Sequence, residues 1–170
     1  MTTRTIEAVP LTAAAFRPYG DVVEAGDRFT LINSGTTRQY ADLAKIDVDA
    51  QDGRARLSLY RVAPYEMPLV VMMLERHPLS SQLFVPLNEA PFLVVVAAGG
   101  VDAIESSAVR AFVCNGRQGI NYHRGTWHHP VIALHRETDF LVLDRRGSGR
   151  NCDEFYFDEA DRIVVTLRAQ

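Results

Sequence analysis

The stretch NYHRGTWHHP, residues 121–130, holds three of the chain's five histidines and its only tryptophan. Imidazole titrates near neutral pH, so histidines set together can move protons or hold a metal. Upstream, in LERHP (Leu74–Pro78), Glu75 and His77 stand two apart. On a strand that spacing puts both on one face and Arg76 on the other, so a carboxylate and an imidazole converge on one ion or one proton. His128 and His129 are adjacent, and on a strand only one of them can enter a given site. Parity does not choose between them: His128 aligns with Ile132 and Leu134, His129 with Val131 and Ala133. His123 precedes Arg124-Gly125, a turn signal, and can fold back beside either. The spacing alone describes equally well a rim of hydrogen-bonded histidines beside a packed tryptophan.

What must position these residues is a succession of short β-type runs. They cover Asp21–Glu24, Arg56–Val62, Leu69–Glu75, Gln82–Pro86, Phe92–Ala98, Arg110–Val113, Phe140–Asp144 and Ile163–Leu167, nearly all punctuated by Gly, Pro, Asn or Asp. Helix is scarce. Thr12 can cap a short helix through Phe16 that Pro18 and Gly20 stop, and another turn falls near Glu105–Val109. Residues 26–41 read as loop. The pattern is mostly β, a barrel or double sheet. In LSLYRV, Leu57, Leu59 and Arg61 share one face. Arg61 therefore either lines an inner wall, where it would bind an anion, or reaches water from a strand end.

The 170 residues carry a net charge of −3, with 47% hydrophobic and 23% charged residues. That is an ordinary single globular domain over 1–170, without the basic field that nucleic acid or an anionic membrane demands. There is no repeat, linker or signal-peptide pattern, and the longest apolar run, Phe92–Ala98, is too short to span a bilayer. Cys114 and Cys152 form neither a CxxC nor a zinc spacing, which reads as a cytoplasmic protein with reduced thiols.

Two segments extend the reading. ERHPLSSQLFVPLNEAPFLVVVA (Glu75–Ala97) resembles the first motif of the cupin superfamily, with Glu75, His77 and Gln82 at three ligand places, and HRGTWH (His123–His128) resembles the second. His128 falls at the last ligand place, and His123 stands where proline is usual. Glu75 and Gln82 depart from the usual ligand types, and a neutral amide is a weak ligand. An oxygen and nitrogen set of this kind still suits nickel, manganese, iron or zinc. Nearly end to end, through FRPYGDVVE, LINSG, RQYADLA, LSLYRVAP, LERHPLSSQLFVP, RAFVCNGRQGINYHRGTWHHP and DFLVLDRRGSGRNCDE, the chain is similar to the ureidoglycolate lyase family.

That resemblance implies a dimeric cupin-like β-barrel that splits (S)-ureidoglycolate into glyoxylate and urea, with a divalent metal such as nickel (manganese or zinc also suited, and binding weak or absent if Gln82 is a poor ligand). It assigns Glu75, His77, Gln82 and His128 to the metal or its place. The catalytic set expected is His123 as proton shuttle with His128 and Glu75. Arg61 is the expected carboxylate clamp, Trp127 a pocket wall, and Tyr122 and Asn33 polar lining. Rival readings are another metal-dependent cupin enzyme, a dioxygenase or isomerase, and a cupin that only binds a small acid. An ammonia-releasing hydrolase would need the same pocket.

Overall fold

The computed structural model describes residues 4–98 and 104–168. Its centre is the strand Phe92–Ala97, buried at every position. A continuous apolar run of six residues fits a strand covered on both faces. Phe92, Val94 and Val96 pack on one side with Phe84, Ile120, Tyr122, Phe140 and Val142. Leu93, Val95 and Ala97 pack on the other with Leu69, Val71, Ile163 and Val165. Three sheets are thus stacked in layers, each pair closing one apolar core.

The middle sheet runs Asp153–Tyr156, Met73–Arg76, Trp127–His128, Phe92–Ala97, Arg110–Cys114, Val9–Pro10, with Ile132–Ala133 also on Phe92–Ala97. The five-stranded sheet facing it runs Gly20–Val23, Gly119–Tyr122, Gln82–Pro86, Thr138–Arg146, Arg54–Val62. Together these two make the cupin-like double sheet that the periodicity and the motifs anticipate. The third, small sheet joins the two ends of the described chain: Arg4–Glu7 pairs in parallel with Ile163–Thr166, which pairs with Leu69–Val71. Thr12 caps the one short α-helix among the described residues, Ala13–Phe16, its hydroxyl accepting from the Ala15 N–H, and Phe16 anchors the helix in the core.

Two expectations need correction. The run Leu69–Glu75 is two strands, Leu69–Val71 and Met73–Arg76. The first pairs with Ile163–Thr166 and the second with Asp153–Tyr156, so the chain changes sheet at Met72. Residues 26–41 are not simple loop. Thr30–Ile32 and Thr37–Gln39 form a hairpin around a tight turn in which Ser34 has φ 57°. Phe29 and Tyr40 pack at its base (5.9 Å), with Arg38 over the Phe29 ring.

The five-stranded sheet has a second face, turned outward. In register across it stand Leu57, Leu59, Leu141, Leu143, Leu83 and Val85. Leu57 and Leu59 are 65% and 56% exposed.

Candidate metal centre and active site

Antiparallel pairing sets His128 directly opposite Glu75 on neighbouring strands of the middle sheet. Side chains at paired positions share a face and stand within contact range. Two residues on, His77 returns to that face as the chain leaves the strand. Donor atoms of Glu75, His77 and His128 all lie within 4.8 Å of one another. Gln82, inward-facing on the opposite sheet, brings its Oε1 to 3.1 Å from His77 Nε2. These groups belong to one cavity of about 480 Å³, except that His128 lies behind its wall; its other polar and charged lining residues are Arg56, Tyr60, Ser80, Asp144, Arg145, Asn151 and Cys152.

Backbone carbonyls fix the tautomers. His77 Nδ1 donates to Asn151 O (2.7 Å) and His128 Nδ1 donates to Thr126 O (2.9 Å). A carbonyl only accepts, so these nitrogens carry the protons and the Nε2 atoms present lone pairs. His128 Nε2 is buried and has no hydrogen-bond partner among the described residues. Its nearest acidic atom, Glu75 Oε1, is 3.5 Å away, beyond an ordinary hydrogen bond. At His77, a lone pair faces an amide oxygen. That contact is favourable with a cation between the two, or with a proton on Nε2, or with the amide turned to donate. Two ligands bonded to one ion at about 2.1 Å stand roughly 3.0–3.4 Å apart, close to the separations at both pairs. The residues present fit a divalent metal.

Charge follows the same arrangement. Burial disfavours the charged imidazole and keeps the His128 pKa below its ordinary value, against the pull of Glu75. His128 is therefore neutral at physiological pH, the form that ligates or accepts a proton. Burial alone would raise the Glu75 pKa, but the neighbouring His128 and His77 outweigh it and keep the carboxylate ionised. Tyr122 stacks on the His128 ring at 4.0 Å and 14°. Asn151 is a hub: its carbonyl holds His77, its Oδ1 accepts from the Leu79 N–H and its Nδ2 donates to Ser80 Oγ.

The structure brings Glu75, His77, Gln82 and His128 together and leaves four expected residues elsewhere. Arg61 faces outward. Its guanidinium makes a two-pronged pair with Asp139 (2.8 and 2.9 Å), and its side chain is 63% exposed. His123 turns away from the cavity and meets Asp21 at 3.1 Å, so it is not placed to shuttle a proton there. Trp127, next to His128, must point to the opposite face; it is buried in the outer core with Arg76 over its ring at 4.6 Å. Asn33 sits exposed at the hairpin turn. Tyr122 is core, touching the site only through its stack on His128. Arg56 and Tyr60 escape the sequence reading because the alternate face of their strand (Arg56, Ser58, Tyr60), not the leucine face, is the one turned inward, and Asp144 enters the cavity opposite Arg56 on the neighbouring strand. Asn151 and Cys152 lie on a loop with no periodicity to read.

The pair around His123 has a structural consequence. Burial raises the Asp21 pKa, but hydrogen bonds from Asn121 and the Lys45 N–H, with His123 beside it, more than offset this and lower it overall. A carboxylate pKa depressed by folding stabilises above the unfolded value, about 3.9, and loses that stabilisation as pH falls through the folded value. Asp21→Asn is therefore expected to lower Tm at pH 7 by a few degrees, and the gap to the parent should close near pH 3. A gap that stays constant across this range in thermal melts would exclude the ionised carboxylate as its cause.

A double-sheet fold with carboxylate, imidazole and amide donors gathered in a small polar cavity defines a cupin-type enzyme of small substrates. The chain belongs to the ureidoglycolate lyase family, whose model matches residues 3–165. Among similar proteins are the ureidoglycolate lyases of Pseudomonas syringae pv. tomato (54% identical over 168 residues, 98% of both chains), Stutzerimonas stutzeri (52% over 163 residues, 95% of both) and Pseudomonas aeruginosa (51% over 163 residues, 95% of this chain and 96% of that one). No helix among the described residues is long and apolar enough to cross a membrane.

Proposed function

We propose that this chain cleaves (S)-ureidoglycolate to glyoxylate and urea, a step of allantoin and purine catabolism that releases nitrogen for use. The observation that supports it, beside family membership, is the convergence of Glu75, His77 and His128 donor atoms within 4.8 Å at one cavity. The substrate carries a carboxylate, a hydroxyl and a ureido nitrogen on one carbon. Its hydroxyl must lose a proton, the C–N bond must break, and the departing nitrogen must gain a proton. The proton count balances within the substrate, so one carboxylate can take the proton from oxygen and return it to nitrogen. Glu75, ionised and at the cavity wall, is the group for this. His77 and Gln82 orient the oxygen side of the substrate, and His128, neutral and buried, presents its Nε2 lone pair beside Glu75 Oε1 at 3.5 Å. Glu75, His77, Gln82 and His128 would hold the divalent metal, nickel in the first instance, with manganese or zinc also compatible; when bound it supplies Lewis acidity to the substrate oxygens.

Product analysis on racemic ureidoglycolate tests this, with protein stripped by chelator and resupplied with Ni, Mn or Zn. Equal urea and glyoxylate from one enantiomer, restored by metal, is the expected result. Ammonia in place of urea would make the enzyme a hydrolase. Absence of both products in the metal-supplied protein would overturn the assignment.

The enzyme works as a homodimer in this reading, and the outward aliphatic face of the five-stranded sheet supports it. An aliphatic field of Leu57, Leu59, Leu83, Val85, Leu141 and Leu143 suits pairing with a second copy about a two-fold axis. Leu59→Asp is expected to halve the mass measured by light scattering, while the fold persists, since Leu59 is already more than half exposed. An unchanged dimer mass would place the interface elsewhere. Two free cysteines support a reducing cytoplasm as its compartment.

A further inference from the structure

We propose that Arg56 binds the substrate carboxylate end-on, through the guanidinium edge turned away from Asp144, and so confines the site to α-carboxylates. The inference rests on the activity proposed above. The cavity holds two arginines, Arg56 and Arg145. Arg145 is 5% exposed, and its Nε and Nη2 are committed to the carbonyls of Ala50, Gln51 and Ser148. It is a brace between two loops. Arg56 differs. Its Nε and Nη2 donate to Asp144 Oδ1 and Oδ2 at 2.8 and 2.7 Å, which uses one edge of the fork. Nη1 and the outer hydrogen of Nη2 have no partner among the described residues, and the side chain is 48% exposed, into the cavity. Two parallel N–H groups at that spacing match the two oxygens of a carboxylate.

Asp144 makes the arrangement rigid. It is 8% exposed and gripped on both oxygens, so it fixes the plane of the guanidinium before any ligand arrives. It also cancels the charge of Arg56, so an incoming carboxylate meets directed N–H groups rather than a free cation. Arg56 and Tyr60 line the cavity from the edge strand of the five-stranded sheet, while Glu75 and His77 line it from the middle sheet. A substrate spanning the two has its carboxylate at Arg56 and its hydroxyl at Glu75.

The test uses the two products as probes of the metal-supplied enzyme. Glyoxylate keeps the carboxylate; urea does not. Removing Arg56 alone strands a buried carboxylate, so the main variant removes both charges: Arg56→Met with Asp144→Leu. Its inhibition constant for glyoxylate and its KM for ureidoglycolate should rise about 10- to 100-fold, the worth of one charge-assisted contact, while inhibition by urea stays within about twofold. Arg56→Lys keeps the charge without the fork and should fall between. Wild-type glyoxylate inhibition in the folded double variant would overturn the proposal, and if that variant fails to fold, wild-type inhibition in Arg56→Lys does so. Calorimetric binding of glyoxylate separates the two levels of inference. If the parent makes no glyoxylate yet binds it, and the variants do not, the activity assignment fails and the role of Arg56 stands.

Discussion

His128→Gln is expected to lower kcat by about 10³-fold and to release bound metal, with the circular dichroism of the parent preserved. The size follows from the two roles proposed for His128. Acid–base and charge-stabilising groups contribute typically 10²–10⁴-fold, and loss of a metal's support costs about 10–100-fold. His128 is 1% exposed and its Nε2 has no partner among the described residues, so water cannot enter to replace it. Glutamine has a similar length and fits beneath the Tyr122 ring. It places an amide where a lone pair on a fixed ring stood, and the register opposite Glu75 is a backbone property that survives. Steady-state kinetics and metal stoichiometry on the purified variant check this. Near-wild-type turnover with full metal content would remove His128 from the site. The Nδ1 partner is the Thr126 carbonyl, so Thr126→Val should leave the tautomer, and hence activity, intact.

Phe140→Ala is expected to destabilise by about 3–5 kcal/mol, as large-to-small changes at buried aromatics do. Against a total stability of about 5–15 kcal/mol that is a large fraction, and Tm should drop by on the order of 10 °C for a chain of this size. Phe140 is fully buried and meets Phe84 and Phe92 edge-to-face at 6.2 and 5.1 Å. It therefore ties the two facing sheets, one of which carries Gln82 and the other Glu75 and His128. Denaturant titration measures the loss. A shift under about 1 kcal/mol would show that the core between the sheets collapses around the gap.

The middle of the fold was legible because its strands are apolar throughout: Phe92–Ala97 cannot be read as a surface element. Glu75 and His77 were legible from their two-residue spacing and the histidine-rich turn marked a site, but the choice of His128 over His129 came from the resemblance to the cupin motif. Gln82 needed the resemblance, since a glutamine at a strand start is ordinary. Arg61 misled for a physical reason. The rule that leucines face inward assumes one apolar core, but Leu57 and Leu59 form an outer aliphatic face while the inner face, Arg56, Ser58 and Tyr60, lines a polar cavity. His123 and Trp127 misled differently. Trp127 neighbours His128, and alternation already forbids both from one cavity; His123 lies before the turn, where its N–H is bound to the Tyr19 carbonyl rather than following a strand. The hairpin at residues 30–39 escaped because both of its faces are mostly exposed, so no burial pattern marks it.

The small third sheet sets the timetable for making this protein. Arg4–Glu7 is synthesised long before its partner strand, Ile163–Thr166; the hydroxyl of Thr166 reaches the Ile6 carbonyl across 160 positions of chain. Until Ile163–Thr166 is synthesised, the outer core around Leu69, Val71, Leu93 and Val95 lacks that cover, and the nascent chain carries the apolar surface exposed. Closing so long a loop is entropically slow, and it rewards the chain only at the end. The site-bearing middle sheet waits almost as long, since its edge strand Asp153–Tyr156 only shortly precedes Ile163, so a chaperone has the most to hold in the interval before these two strands dock.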